Sequence, residues 1–119
     1  METLINYTQL DRRRGHRFLP PKAARAKIPA LYATEDTSAG DTMIHLHYFV
    51  GGCDWYIAEA DWDTGLAFGW AELAAGCGEW GYVSLAELAT LTVGPFVVER
   101  DCYFDPTPAR DIARINGGR

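Results

Sequence analysis

Ile44, Leu46, Tyr48 and Val50 alternate with His45, His47 and Phe49, a period-two pattern that predicts a strand with one apolar face, ended by Gly51-Gly52. Trp55 to Ala60 predicts a second strand. Asp61-Trp62-Asp63-Thr64-Gly65 supplies turn residues, and Leu66 to Glu72 returns as a third strand, so the pair reads as a β-hairpin. The Gly76-Cys77-Gly78 loop leads to a short strand over Trp80 to Val83. After it, Ser84-Leu85-Ala86-Glu87 has the spacing of a capping box, in which the Ser84 hydroxyl accepts from the Glu87 amide and the Glu87 side chain reaches back to the Ser84 amide. Leu85, Leu88 and Leu91 then recur at helical spacing for about two turns.

The flanks are less periodic. Residues 1–17 read as a loosely anchored N-terminal arm, and 18–119 as a single domain. Pro20-Pro21 mark a helix start, because proline suits a first turn that needs no amide donor. Pro29 stops that helix near Lys27. Glu35 to Asp41 is a polar loop. Gly94-Pro95 breaks the chain, Phe96 to Phe104 predicts a last strand, and Pro106 and Pro108 open a short C-terminal helix. This order predicts an α+β fold: one small domain with a mainly antiparallel sheet of four to five strands and short helices packed on one face.

Charge changes the picture more than composition does. The 119-residue chain has eleven Lys and Arg, and seven of them lie between Arg12 and Lys27. From Ile28 to Ala109 one base, Arg100, stands against thirteen carboxylates. A basic arm on an acidic, aromatic-rich body points to function by contact and surface electrostatics. No apolar run matches an export signal or a membrane span, and the three cysteines lack a CxxC pair, so reduced thiols and a cytoplasmic setting are expected.

Several segments resemble a known family. Leu19-Pro20-Pro21-Lys22 and Trp55 with Glu59 are similar to the opening of a bacterial domain-of-unknown-function family, the one numbered 2958. Asp63-Thr64-Gly65, Phe68-Gly69, the run from Glu79 to Leu88, and Val98-Glu99-Arg100-Asp101 with Tyr103-Phe104 and Pro106-Thr107 continue the likeness. It covers roughly residues 18–112. The resemblance implies small proteins of plasmids, conjugative elements and phage-like regions, with no established activity, cofactor or catalytic residue. Trp70-Ala71-Glu72 departs from a typical Leu-Cys-Asp-like segment, and the arginine-rich arm lies upstream of the shared region.

Candidate chemistry is sparse. His45 and His47, two apart on a strand, are a conceivable metal pair, but zinc needs further ligands, and no metal or cofactor is assigned. Glu59, Asp61 and Asp63 occupy alternate positions at a strand end and could converge on Mg²⁺ or Ca²⁺. Asp61 to Gly65 also reads as plain turn chemistry. Ser84 is explained by its cap rather than by catalysis, and Cys77 has no adjacent cation to activate it. Arg100, the one base in the acidic body, is expected to be an ion-pair hub with a structural role.

The reading favoured by the sequence is a small acidic binding protein without catalytic residues. It engages a protein partner, as adaptor or as a competitor for a basic groove, through Asp61, an exposed Trp62 and Asp63. The alternatives are a small metal-dependent hydrolase or nuclease using Glu59, Asp61 and Asp63, and a nucleic-acid accessory protein using Arg12, Arg13, Arg14 and Arg17.

Overall fold

The computed structural model describes residues 5–116. Two short helices open the chain, α1 (Asp11–Arg14) and α2 (Lys22–Ala26). Next come β1 (Met43–Ile44), β2 (Leu46–Val50), β3 (Cys53–Asp61), β4 (Leu66–Glu72), β5 (Glu79–Ser84) and α3 (Leu85–Thr90). The chain then forms β6 (Thr92–Val93), β7 (Phe96–Val97), β8 (Glu99–Arg100) and β9 (Thr107–Pro108), with a 3₁₀ turn at Ala109–Asp111. The main sheet has five strands in the order β5-β4-β3-β2-β8, all antiparallel. β1 pairs with β9 and β6 with β7 in two small ribbons. The fold is α+β, and among the described residues no helix is long and apolar enough to cross a membrane.

Both faces of the sheet are covered. The first face buries Leu46, Tyr48, Val50, Trp55 and Ile57 beneath Tyr7, Phe18 and the α3 residues Leu85, Leu88 and Ala89. The second buries Tyr56, Ala58 and Trp70 beneath Ile44, Ala109 and Ile112. Strand alternation produces this division, since successive side chains point to opposite faces. The helices serve the first face, while an irregular C-terminal segment covers the second.

Several local expectations are met. Pro21 precedes α2, Lys27 ends it, and the Ser84 hydroxyl accepts the Glu87 amide at 3.1 Å to start α3. Glu87 itself is exposed, and the structure shows no bond from its side chain back to Ser84. Four expectations need correction. The alternation of the first strand breaks at His45: Ile44 packs in the second cluster, whereas Leu46 and Tyr48 pack in the first. The last strand is two fragments, because β7 turns back on β6 while β8 pairs with β2, with Val98 fully buried between them. The C-terminal helix shrinks to a single 3₁₀ turn.

The fourth correction concerns the N-terminal segment, which is built into the core. The Tyr7 ring stacks on Phe18 at 6.1 Å, and Phe18 stacks on Tyr48 at 4.4 Å. Burying these aromatic surfaces outweighs the charge that made the segment look solvated.

Candidate functional site

A bulge precedes the carboxylates at the end of β3. Ile57 pairs with Gly69, but Glu59 pairs with Phe68, so one residue is inserted at Ala58. The insertion carries Glu59 to the second face, opposite Phe68, and returns Ala60 to the first. Glu59 is 3% exposed there. Its carboxylate accepts the Tyr32 amide at 2.8 Å, the Thr34 amide at 2.9 Å and the Thr34 hydroxyl. Tyr32 sits at φ 71°, a left-handed conformation that costs a bulky residue energy, and Glu59 holds it in place.

Asp61 is spent differently. Its Oδ1 accepts the amides of Asp63 at 3.0 Å and Thr64 at 3.3 Å, closing the turn ahead of Gly65. Asp63 is exposed. Trp62, expected on the surface, is half-buried against the first-face core, edge-on to Tyr7 at 5.7 Å. The Trp62 carbonyl accepts the Tyr7 hydroxyl. Burial, reinforced by Asp61 and Asp63, pushes that hydroxyl up to about 12. The Trp62 ring is therefore part of the packing, and Glu59 and Asp61 are engaged with separate stretches of backbone. Among the described residues no group of three or more His, Cys, Asp or Glu is arranged to hold a metal ion.

The arginines divide into two kinds. Arg14 is buried, with Nε donating to the Val98 carbonyl at 2.5 Å and Nη2 to the Ala89 carbonyl at 3.0 Å. It pairs with Asp11 and lies over the Phe18 ring. Arg14 is thus a structural residue, unlike its neighbours. Arg12, Arg13 and Arg17 are exposed, and Arg13 reaches the Pro95 carbonyl at 2.9 Å. Arg100, expected as the ion-pair hub, meets no carboxylate among the described residues. Its Nε donates to the Arg17 carbonyl at 3.0 Å, and its amide donates to His16.

The hub is Arg114, which the sequence reading did not single out. Its guanidinium binds Glu72, Asp54 (2.6 Å) and the Gly52 carbonyl (3.0 Å). Asp54 in turn holds His47 Nε2 at 2.6 Å, and Asp101 holds Nδ1 at 3.1 Å. The imidazole stacks on Tyr56 at 4.4 Å, and burial beside Asp54 pushes the Tyr56 hydroxyl up to about 12. Both ring nitrogens of His47 are occupied, so neither is open to a substrate proton. The network clamps the C-terminal segment onto the second face. His45, by contrast, has its imidazole pushed below the usual range by burial.

Open chemistry lies at the edge of the sheet. β5 pairs with β4 on one side only, so among the described residues its other edge is unpaired. A groove of about 410 Å³ runs beside it, walled by Trp55, Leu73, Val83, Leu88 and Leu91. Leu73 is 62% exposed and Tyr82 56% exposed. Glu79 and Glu87 stand on the rim. Edge strands are usually blunted by lysine, proline or a bulge. β5 has none of these, and Gly81 at its middle leaves space for an approaching backbone. Sequence reading missed this site because Leu73 and Leu91 come from segments flanking β5 and its helix. The available signal was the absence of lysine and proline from Glu79 to Ser84.

Residues 21–114 match the model of a family described as a protein of unknown function (DUF2958). No curated protein and no solved structure matches the chain.

Proposed function

This chain belongs to the DUF2958 family of proteins of unknown function, and from that premise we propose that it is a non-enzymatic binding protein that takes a basic, extended segment of a protein partner along the free edge of β5. The observation that carries the reading is the unprotected edge of β5 beside an apolar groove with a carboxylate rim. An added strand draws affinity from main-chain hydrogen bonds and specificity from pockets for alternate side chains. Leu73, Leu88 and Leu91 receive the apolar side chains, while Glu79 and Glu87 select Lys or Arg between them. The thirteen carboxylates between Ile28 and Ala109 steer such a segment from a distance. The setting implied by the family resemblance, plasmids and related mobile elements, is rich in proteins that handle nucleic acid and carry basic segments.

The contact thereby moves from Asp61, Trp62 and Asp63 to β5 while keeping the acidic, aromatic character expected from the sequence. The test is selection from a display library of random peptides, followed by hydrogen exchange on the complex. Expected are peptides alternating apolar and basic residues that slow exchange of the β5 amides. Replacing Glu79 and Glu87 together by Lys should invert the charge of the selected peptides. Selection of helical peptides, or peptides unchanged by the charge reversal, would overturn the reading.

A further inference from the structure

The opposite edge of the sheet holds a second site, of opposite sign. Beside β8 a pocket of about 370 Å³ is lined by four cations, Arg17, Lys22, Arg25 and Arg100, with Leu19 and the Pro20-Pro21 pair as an apolar wall. No carboxylate lines it, and none of the four cations is in an ion pair among the described residues. In a chain of formal charge −5 this local excess of positive charge is unusual.

The pocket is also pre-organised. Three side-chain donors grip three carbonyls of the segment 17–20: Arg100 Nε on Arg17 at 3.0 Å, the Tyr48 hydroxyl on Phe18 at 2.7 Å, and Arg25 Nη1 on Pro20 at 2.9 Å. Each of the two anchored guanidinium groups uses one nitrogen for the protein and keeps the others for a ligand. Tyr48 is fully buried, so its bond to the Phe18 carbonyl ties the segment that carries Arg17 and Leu19 to the core. Two held guanidinium groups with two exposed cations, Arg17 and Lys22, match the three oxygens of a phosphoryl group, which arginine grips with paired hydrogen bonds.

We propose that this pocket binds the phosphoryl group of a small phosphorylated ligand, with the organic part of the ligand against Leu19 and Pro20. The size of the pocket favours a small molecule, and the acidic body around it disfavours a long polyanion. The site is independent of the β5 groove and stands or falls separately.

The test is an NMR titration of the full chain, following arginine Nε and backbone signals, with three probes: pyrophosphate, adenosine 5′-monophosphate and adenosine. Saturable shifts at Arg25, Arg100 and residues 17–20 with the first two probes, and none with adenosine, are expected. Replacing Arg17 and Lys22 together by Gln removes two exposed charges whose side chains bind nothing else in the described structure. That variant should keep the wild-type urea midpoint and bind pyrophosphate about tenfold or more weakly, the effect of losing a charge-assisted hydrogen bond. Absence of a saturable shift with both phosphorylated probes would overturn the proposal. So would a single-stranded oligonucleotide binding more tightly than the mononucleotide with a steep salt dependence, because the ligand would then be a nucleic-acid backbone.

Discussion

The Arg14 guanidinium donates to the Val98 carbonyl at 2.5 Å, joining residues 84 positions apart. With the bond from Arg14 to the Ala89 carbonyl, it ties the N-terminal segment to the end of α3 and to the strand entering β8. Removing it strands two buried carbonyls and leaves the Asp11 carboxylate with the Phe18 amide alone. Arg14→Met should therefore lower stability by about 3 kcal/mol, the usual cost of breaking a buried charged contact. Arg12→Ala, at an exposed position of the same helix, should stay within about 0.5 kcal/mol. Urea unfolding of the two variants checks the contrast, and equal midpoints would return the segment to the status of a free arm.

Glu59 makes a comparable contact with a loop. Its carboxylate satisfies the Tyr32 and Thr34 amides while Tyr32 is held left-handed. Glu59→Ala leaves both donors unsatisfied and should cost about 2 kcal/mol. Hydrogen exchange at Tyr32 and Thr34 should accelerate far more than at the β2–β3 amides. Uniform acceleration across the sheet would mean that Glu59 supports the sheet rather than the loop.

These two residues also show what the sequence could and could not convey. The Ser84 cap, the Pro29 stop and the Asp61–Gly65 turn are local, so spacing alone revealed them. The expected convergence of Glu59 with Asp61 and Asp63 fails because Glu59 is taken by the Tyr32 and Thr34 amides, 27 and 25 residues away in sequence, and backbone donors have no side-chain signature. Arg14 was misread because its partners are backbone carbonyls at Ala89 and Val98, which have no side-chain signature. The cationic pocket was half legible: the sequence clustered Arg17, Lys22 and Arg25, but only pairing of β8 with β2 brings Arg100 to them. The β5 groove depends on which strand ends at an edge, a property of the whole sheet.

Two glycines that face each other across β4 and β5 should respond in opposite ways. A Cβ on Gly69 would fall 1.9 Å from the Tyr56 carbonyl oxygen, so β3 and β4 would have to part. A Cβ on Gly81, its partner in register, meets nothing within 4 Å. Gly69→Ala should cost about 3 kcal/mol or prevent folding, and Gly81→Ala should stay within about 0.5 kcal/mol. Thermal melts of both decide it. The second variant also serves as a folded control for the β5 edge.

Trp62 has a buried indole Nε1 with no hydrogen-bond partner among the described residues. A buried unpaired donor is a standing cost. Trp62→Phe removes that donor while keeping an aromatic ring beside Tyr7, so the lost packing and the relieved penalty oppose each other. The net change should be within about 1 kcal/mol, smaller than for an ordinary buried tryptophan. Calorimetry measures this, and a loss of several kcal/mol would show that the indole N–H has a partner in solution. Peptide binding at β5 should be unaffected, because Trp62 lies outside the residues lining that groove.

Acid sensitivity should trace to His45. Burial lowers its pKa in the folded chain below the ordinary value of 6.5. Below that value the unfolded chain takes up a proton that the folded chain resists, so unfolding becomes easier as pH falls. The stability contributed by a neutral His45 is complete above pH 6.5 and is lost progressively as the pH drops toward its folded value. His45→Gln removes the titrating group and should flatten this part of the stability–pH curve. Urea midpoints between neutral and mildly acidic pH provide the comparison, and parallel curves for the two proteins would exclude His45 as the source.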